Sequence, residues 1–110
     1  MGFYLLSWRY SQPAMRALVE KPQDREAAGR KLVEGCGGKM HSFFFAFGER
    51  DGFAIAEFPD NESAAACGMT LAGSGTVASA EMTVLITPEE ASRAMQRAHE
   101  TSHGYTPPQS

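Results

Sequence analysis

The sequence predicts an α+β domain: four strands forming an antiparallel sheet, helical crossovers, and a further helix at the C-terminal end. Three observations carry that prediction. Residues 38–60, GKMHSFFFAFGERDGFAIAEFPD, read as two apolar strands joined by the polar loop Gly48-Glu49-Arg50-Asp51-Gly52. An aromatic run, FYLLSWRY, precedes them, separated by a helical pattern that stops at Gly35-Cys36-Gly37-Gly38. A helix of small residues and one more strand follow, and the next segment opens with a complete helix-start signature, Thr87-Pro88-Glu89-Glu90. At 110 residues the chain is sized for one domain, residues 1–110, with a core over 3–86 and a C-terminal helix and tail over 87–110.

Residues 3–10 form the first strand, with Phe3, Leu5, Ser7 and Arg9 on one face and Tyr4, Leu6, Trp8 and Tyr10 on the other. Ser11-Gln12-Pro13 starts a short helix, capped by Ser11, that ends near Lys21 because Pro22 interrupts the pattern. The main helix spans residues 22–35, with Pro22 in its first turn and Asp24 and Glu26 near the positive end of its dipole. Its apolar stripe is Ala28, Leu32 and Cys36, flanked by Arg25 and Val33. Gly29 costs that helix roughly 1 kcal/mol against alanine, which is explained if it packs closely on the sheet.

Strands follow at residues 39–47 and 53–58. Pro59 ends the second of them, and Asp60 caps a helix over residues 61–71 whose Ala64, Ala65, Ala66, Cys67 and Gly68 permit close approach to the layer beneath. Gly73-Ser74-Gly75 closes that helix. Residues 77–86 make the last strand, with Glu81 its only charge, and the final helix runs to about Glu100. The tail, residues 104–108, is expected to be extended and polyproline-like.

The net charge is −3, and the cations Arg16, Lys21, Arg25, Arg30, Lys31, Arg93 and Arg97 alternate with acids, so nucleic acid is not an expected partner. Cys36 and Cys67 are the only cysteines and have no metal-ligand spacing; they read as small buried hydrophobes. The first ten residues lack the basic segment of a secretory signal, and their apolar run is too short to cross a bilayer. The expectation is therefore a reducing, cytoplasmic compartment and no membrane partner. No cofactor is expected either. Gly73 and Gly75 do not follow the strand-to-helix order of a phosphate loop, and His99 and His103 need outside help to hold a metal.

The order strand–helix–strand–strand–helix–strand is that of the ferredoxin-like fold, with helices on one face of the sheet. An antiparallel sheet with one wet face alternates apolar and polar residues. Phe43-Phe44-Phe45-Ala46-Phe47 and Phe53-Ala54-Ile55-Ala56 are apolar at both parities. Helices cover one face only, so the other needs a cover, and a second copy of the same sheet is the simplest one. The competing cover is the chain's own C-terminal helix or tail.

The chain resembles the GYD domain family. The matching features are Trp8 near the end of the first strand, Arg25 with Ala27-Ala28 in the main helix, Gly37-Gly38, the loop Gly48-Glu49-Arg50-Asp51, and Pro59-Asp60. The similarity covers about residues 3–86. Arg50 stands where the family motif usually has tyrosine, so any role of that tyrosine does not transfer. The resemblance implies the dimeric α/β-barrel type, in which two ferredoxin-like sheets pack face to face. The wider group includes cofactor-independent oxygenases, isomerases, haem enzymes and ligand-sensing domains, and fold analogy does not choose among them.

Several residues are candidates for a site. If Phe47 pairs with Phe53, then Phe43, Phe45, Phe47, Phe53, Ile55 and Glu57 share a face, with His41 diagonal to Glu57. His41 and Glu57 beside an aromatic wall form a candidate acid–base pair; in water at a sheet edge they are only an ion pair. Tyr4 and Trp8, with Phe45, are candidates to line a pocket for a small apolar or aromatic ligand, although such stripes more often form core. Arg50 is a candidate for binding a small anion at a pocket mouth, against the plainer reading of a turn residue partnered by Glu49 and Asp51. The leading expectation is a homo-oligomer that binds a small molecule. Its rivals are a cofactor-independent oxygenase or isomerase acting on a small aromatic compound, tested first at His41 and Trp8, and a purely structural oligomerisation module.

Overall fold

Helix starts in this chain are set by side chains that satisfy the orphaned amides of each first turn. In the computed structural model, which describes residues 1–109, Ser11 accepts from Ala14 at the head of α1 (Gln12–Glu20) and Asp24 accepts from Ala27 at the head of α2 (Arg25–Gly35). Asp60 accepts from Ser63 to begin α3 (Asn61–Gly73), and Thr87 accepts from Glu90 to begin α4 (Pro88–Thr101). Glu90 returns the bond by accepting from the Thr87 amide. These bonds hold the Asp60 and Glu90 carboxyls below the usual carboxylate range, because they favour the charged form.

The second helix begins three residues later than its sequence suggests. Pro22 acts backward on the chain instead of forward. It disfavours the helical conformation at Lys21, whose φ of −139° and ψ of 88° end α1, and Asp24 then caps α2. At the other end α2 closes on Gly37, held at φ 82°. There the Gly38 and Gly37 amides return to the carbonyls of Val33 and Glu34, which makes a Schellman motif.

The strands β1 (Gly2–Tyr10), β2 (Lys39–Phe45), β3 (Gly52–Phe58) and β4 (Val77–Leu85) form one antiparallel sheet in the order β2-β3-β1-β4. With α2 lying over β2 and α3 over β4 and β3, this is the ferredoxin-like α+β arrangement. Tyr4, Leu6, Trp8 and Tyr10 point from β1 into the helix layer, where Val33 of α2 and Cys67 of α3 meet them. The small residues of that layer act as expected. A methyl group added at Gly29 would lie 3.1 Å from Met40 Cε, so α2 sits as close to β2 as its sequence implies.

The hairpin pairs differently from the register expected above. Phe44, not Phe47, lies opposite Phe53, and β2 ends at Phe45, leaving Phe47 fully exposed in the loop. Phe45 pairs with Gly52, so the connection is residues 46–51, and farther along a bulge between Met40 and Ser42 gives β2 one residue more than β3. That extra residue reverses the parity of everything after it. Met40 and Phe43 therefore both face the helices, Phe45 joins them, and Phe44 with Phe53 and Ile55 faces the opposite way. Two-sided apolarity in β2 is thus partly a change of face within one strand.

Trp8 is 5% exposed and rests directly on Gly52 of β3. A methyl group at Gly52 overlaps the indole at Cζ2 and Cε2, so glycine is needed here for space and not for dihedral freedom. Gly52→Ala is expected to cost about 1–3 kcal/mol through overpacking. The chain has a single tryptophan, so its fluorescence should shift in the same variant. An unchanged denaturation midpoint with unchanged emission contradicts the prediction.

The face of the sheet away from the helices is uncovered. Phe3 and Leu5 of β1 share it with Phe53 and Ile55 of β3, Phe44 of β2 and Leu85 of β4. Among the described residues neither α4 nor the tail folds across it. Among the described residues α4 makes little contact with the strands or with the other helices, and Met95 on its apolar side is 69% exposed. The projecting helix lengthens the molecule to 59 × 36 × 22 Å and raises the radius of gyration to 17.8 Å. A compact chain of this length has about 13 Å.

Candidate functional site

The pleat of β1 aims Trp8 and Tyr10 at the helix layer, and the β2 bulge brings Phe43 and Phe45 to the same side. The four rings close into a cluster. Trp8 lies 5.2 Å from Phe43 and 6.3 Å from Tyr10, and Phe45 lies 5.5 Å from Phe43 and 6.5 Å from Tyr10. Between this cluster and α2 is a hollow of about 80 Å³, walled by Leu6, Trp8, Val33 and Phe43, with Tyr10 and Arg25 also on its wall. A second hollow of about 130 Å³ lies against α1, between Ala14, Leu18 and Gln23, and it too is bordered by Tyr10 and Arg25.

On the opposite face the bulge presents His41 to Glu57. The Glu57 carboxylate takes a hydrogen bond from His41 Nε2 at 2.7 Å, and the two side chains are 34% and 23% exposed. The Phe3 ring lies 5.5 Å from the imidazole. This arrangement holds one ring nitrogen against a carboxylate. As an accessible ion pair in a single chain it adds only about 0–1 kcal/mol to stability.

Arg50 lies at neither hollow. Its guanidinium crosses the open face to β4, donating to Ser79 Oγ at 3.0 Å and to the Glu81 carboxylate. Its partners are therefore the hydroxyl and the lone charge of β4, and not the adjacent Glu49 and Asp51. Those two residues serve β1 instead. Asp51 Oδ2 accepts from the Tyr10 amide at 2.9 Å, the Asp51 amide donates to the Trp8 carbonyl, and Arg9 donates to the Glu49 carbonyl. The hairpin loop is thus a latch on the end of β1.

Of the residues named from the sequence, Trp8 lines the inner hollow and Phe45 stands beside it, 60% exposed. Tyr4 does not reach the hollow. Its hydroxyl donates to Asn61 Oδ1 and its ring meets Phe58 edge-on. His41 and Glu57 are together but lie on the other side of the sheet from Trp8. Arg25 and Thr76 of the hollow walls are not among the candidate site residues read from the sequence. Arg25 flanks the apolar stripe of α2, which is a usable signal, whereas Thr76 lies in a connection that carries none.

Cys67 is fully buried, and burial, with Cys36 beside it, pushes its thiol up to about 12, so it is no nucleophile at neutral pH. Among the described residues no group of three His, Cys, Asp or Glu side chains is arranged to hold a metal ion. No described helix is long and apolar enough to cross a membrane.

A family model described as the GYD domain matches residues 4–95 of the chain. Curated protein sequences give no match. Two crystal structures of a protein from Agrobacterium tumefaciens superpose on this chain with TM-scores of 0.46 and 0.43, at 17% and 15% identity. They cover 78% and 80% of this chain and 92% of their own. One of them is described as a nipsnap family protein with unknown function.

Proposed function

The chain belongs to the GYD domain family, and from that premise we propose that it works as a homo-oligomer which binds a small apolar molecule in the hollow between α2 and the sheet. The observation that carries the reading is the division between the two faces of one sheet. One face encloses an aromatic-walled hollow, and the other leaves Phe3, Leu5, Phe44, Phe53, Ile55 and Leu85 without a cover from its own chain. A contiguous apolar face rimmed by polar pairs is the surface expected of an assembly site. Here the rims are His41–Glu57 and Arg50–Glu81. A twofold axis lets the same face cover itself. The exposed apolar side of α4 adds a second surface for the partner copy.

The enzymatic reading draws less support. His41 and Trp8 lie on opposite faces of the sheet, so no single pocket of one chain uses both. The size of the hollow also narrows the ligand. At 80 Å³ it is smaller than the cavity of about 150 Å³ that admits benzene, which favours a short aliphatic group over an aromatic ring.

Size-exclusion chromatography with light scattering tests the assembly. The expected mass is at least twice the 11.9 kDa of the chain at micromolar concentration. A monodisperse monomer there overturns it.

A further inference from the structure

Of the side chains on the walls of the two hollows that border α2 and α1, only Arg25 is charged. Arg16, Arg30 and Arg50 each have a carboxylate partner within the chain. Arg25 has none among the described residues; its side-chain contact is a 3.3 Å bond to the Gln23 amide oxygen. Tyr10 and Thr76 border both hollows together with Arg25. Arg25, Tyr10 and Thr76, which carry a guanidinium and two hydroxyls, are thus shared by an apolar space under α2 and a second space against α1.

We infer that this site takes a small monocarboxylate, its carboxylate held at the divide by Arg25, Tyr10 and Thr76 and its short aliphatic tail placed against Trp8 and Phe43. The inference rests on the hollow being the binding site proposed above. The planar fork of arginine matches a carboxylate with two parallel donors, and the hydroxyls supply further donors to the same oxygens. One cation with two neutral donors suits a monoanion; a phosphate dianion is left under-compensated. The apolar wall strengthens the pairing by excluding water from around it. A neutral ligand leaves Arg25 no worse than it is now but gains nothing from it, so charge at the carboxyl position is what the site selects.

Isobutyrate and its neutral isostere isobutyramide are the probes. Each is titrated into the full-length chain at constant ionic strength, with the fluorescence of Trp8 as the readout. The wild type, Arg25→Gln and the remote control Arg16→Gln are compared after circular dichroism shows all three folded. The expected result is that isobutyrate binds about tenfold more tightly than isobutyramide, the margin of a charge-assisted bond. That preference should be lost in Arg25→Gln and kept in Arg16→Gln. Equal binding of the two probes, or a preference that survives in Arg25→Gln, overturns the carboxylate inference and leaves the hollow as a binding site. Failure of both probes to perturb Trp8 at tens of millimolar overturns the hollow itself, and the inference with it.

Discussion

Phe58→Ala should lower the stability of the fold by about 3–5 kcal/mol, the usual cost of removing a fully buried phenylalanine. Phe58 ends β3 and is completely excluded from solvent. Its ring meets Tyr4 edge-on with centroids 5.5 Å apart. On the other side is the Gly38 backbone, where even an added methyl carbon would come within 2.7 Å of the Phe58 ring. Two of the surroundings are therefore poor at relaxing. Gly38 is fixed by the Schellman bonds that close α2, and Tyr4 is tethered to Asn61 at the start of α3. A cavity that cannot collapse keeps its full cost, which places the effect toward the upper part of the range. For a chain of this size the loss corresponds to a fall of roughly 15–30 °C in Tm. Wild type and variant must be compared at one protein concentration, because assembly adds to apparent stability. A loss below about 1 kcal/mol would show that the site repacks, contrary to the rigidity argued from Gly38 and Tyr4.

Much of this fold was legible because its boundaries are written in local chemistry. Asp60, the Thr87–Glu90 pair and the glycines after α2 act within a few residues of themselves, so reading them requires no knowledge of the partner strands. The alternation in β1 was equally direct, since every second residue from Tyr4 to Tyr10 is buried. The hairpin failed differently. One unpaired residue near His41 shifts the register by one, and no side chain at that point announces the bulge. With five apolar residues from Phe43 to Phe47, either parity looked acceptable. Arg50 and Glu81 were each noticeable alone, one as the departure from the family loop and the other as the only charge in β4. Their pairing depends on the hairpin loop reaching across the end of β1 to β4, a long-range consequence of the sheet order. For the same reason the binding wall was half visible. Trp8 belongs to a stripe, but Arg25 and Thr76 reach it only through the packing of α2 and the approach to β4.

Ile55→Asp should convert the proposed oligomer to a monomer without unfolding the chain. Ile55 lies near the middle of the open face, opposite Leu5 of β1 and Ser42 of β2. In a single chain that face meets water, so the carboxylate is hydrated there, and the cost to the strand is limited to about 1 kcal/mol of β propensity. Against a second sheet the same carboxylate is buried without a partner, which costs about 3–5 kcal/mol. At 1.4 kcal/mol per decade this weakens association about 10²–10³-fold, and a twofold interface places both substituted residues near the axis or counts the penalty twice. Lys31→Gln, on an exposed part of α2, changes the chain's net charge by the same −1 and should leave the assembly intact. Light scattering across a dilution series separates the outcomes. A wild-type oligomer and an Ile55→Asp monomer with native circular dichroism support packing through the open face. If Ile55→Asp keeps the wild-type mass, the copies meet elsewhere, with the apolar side of α4 the next surface to alter at Met95.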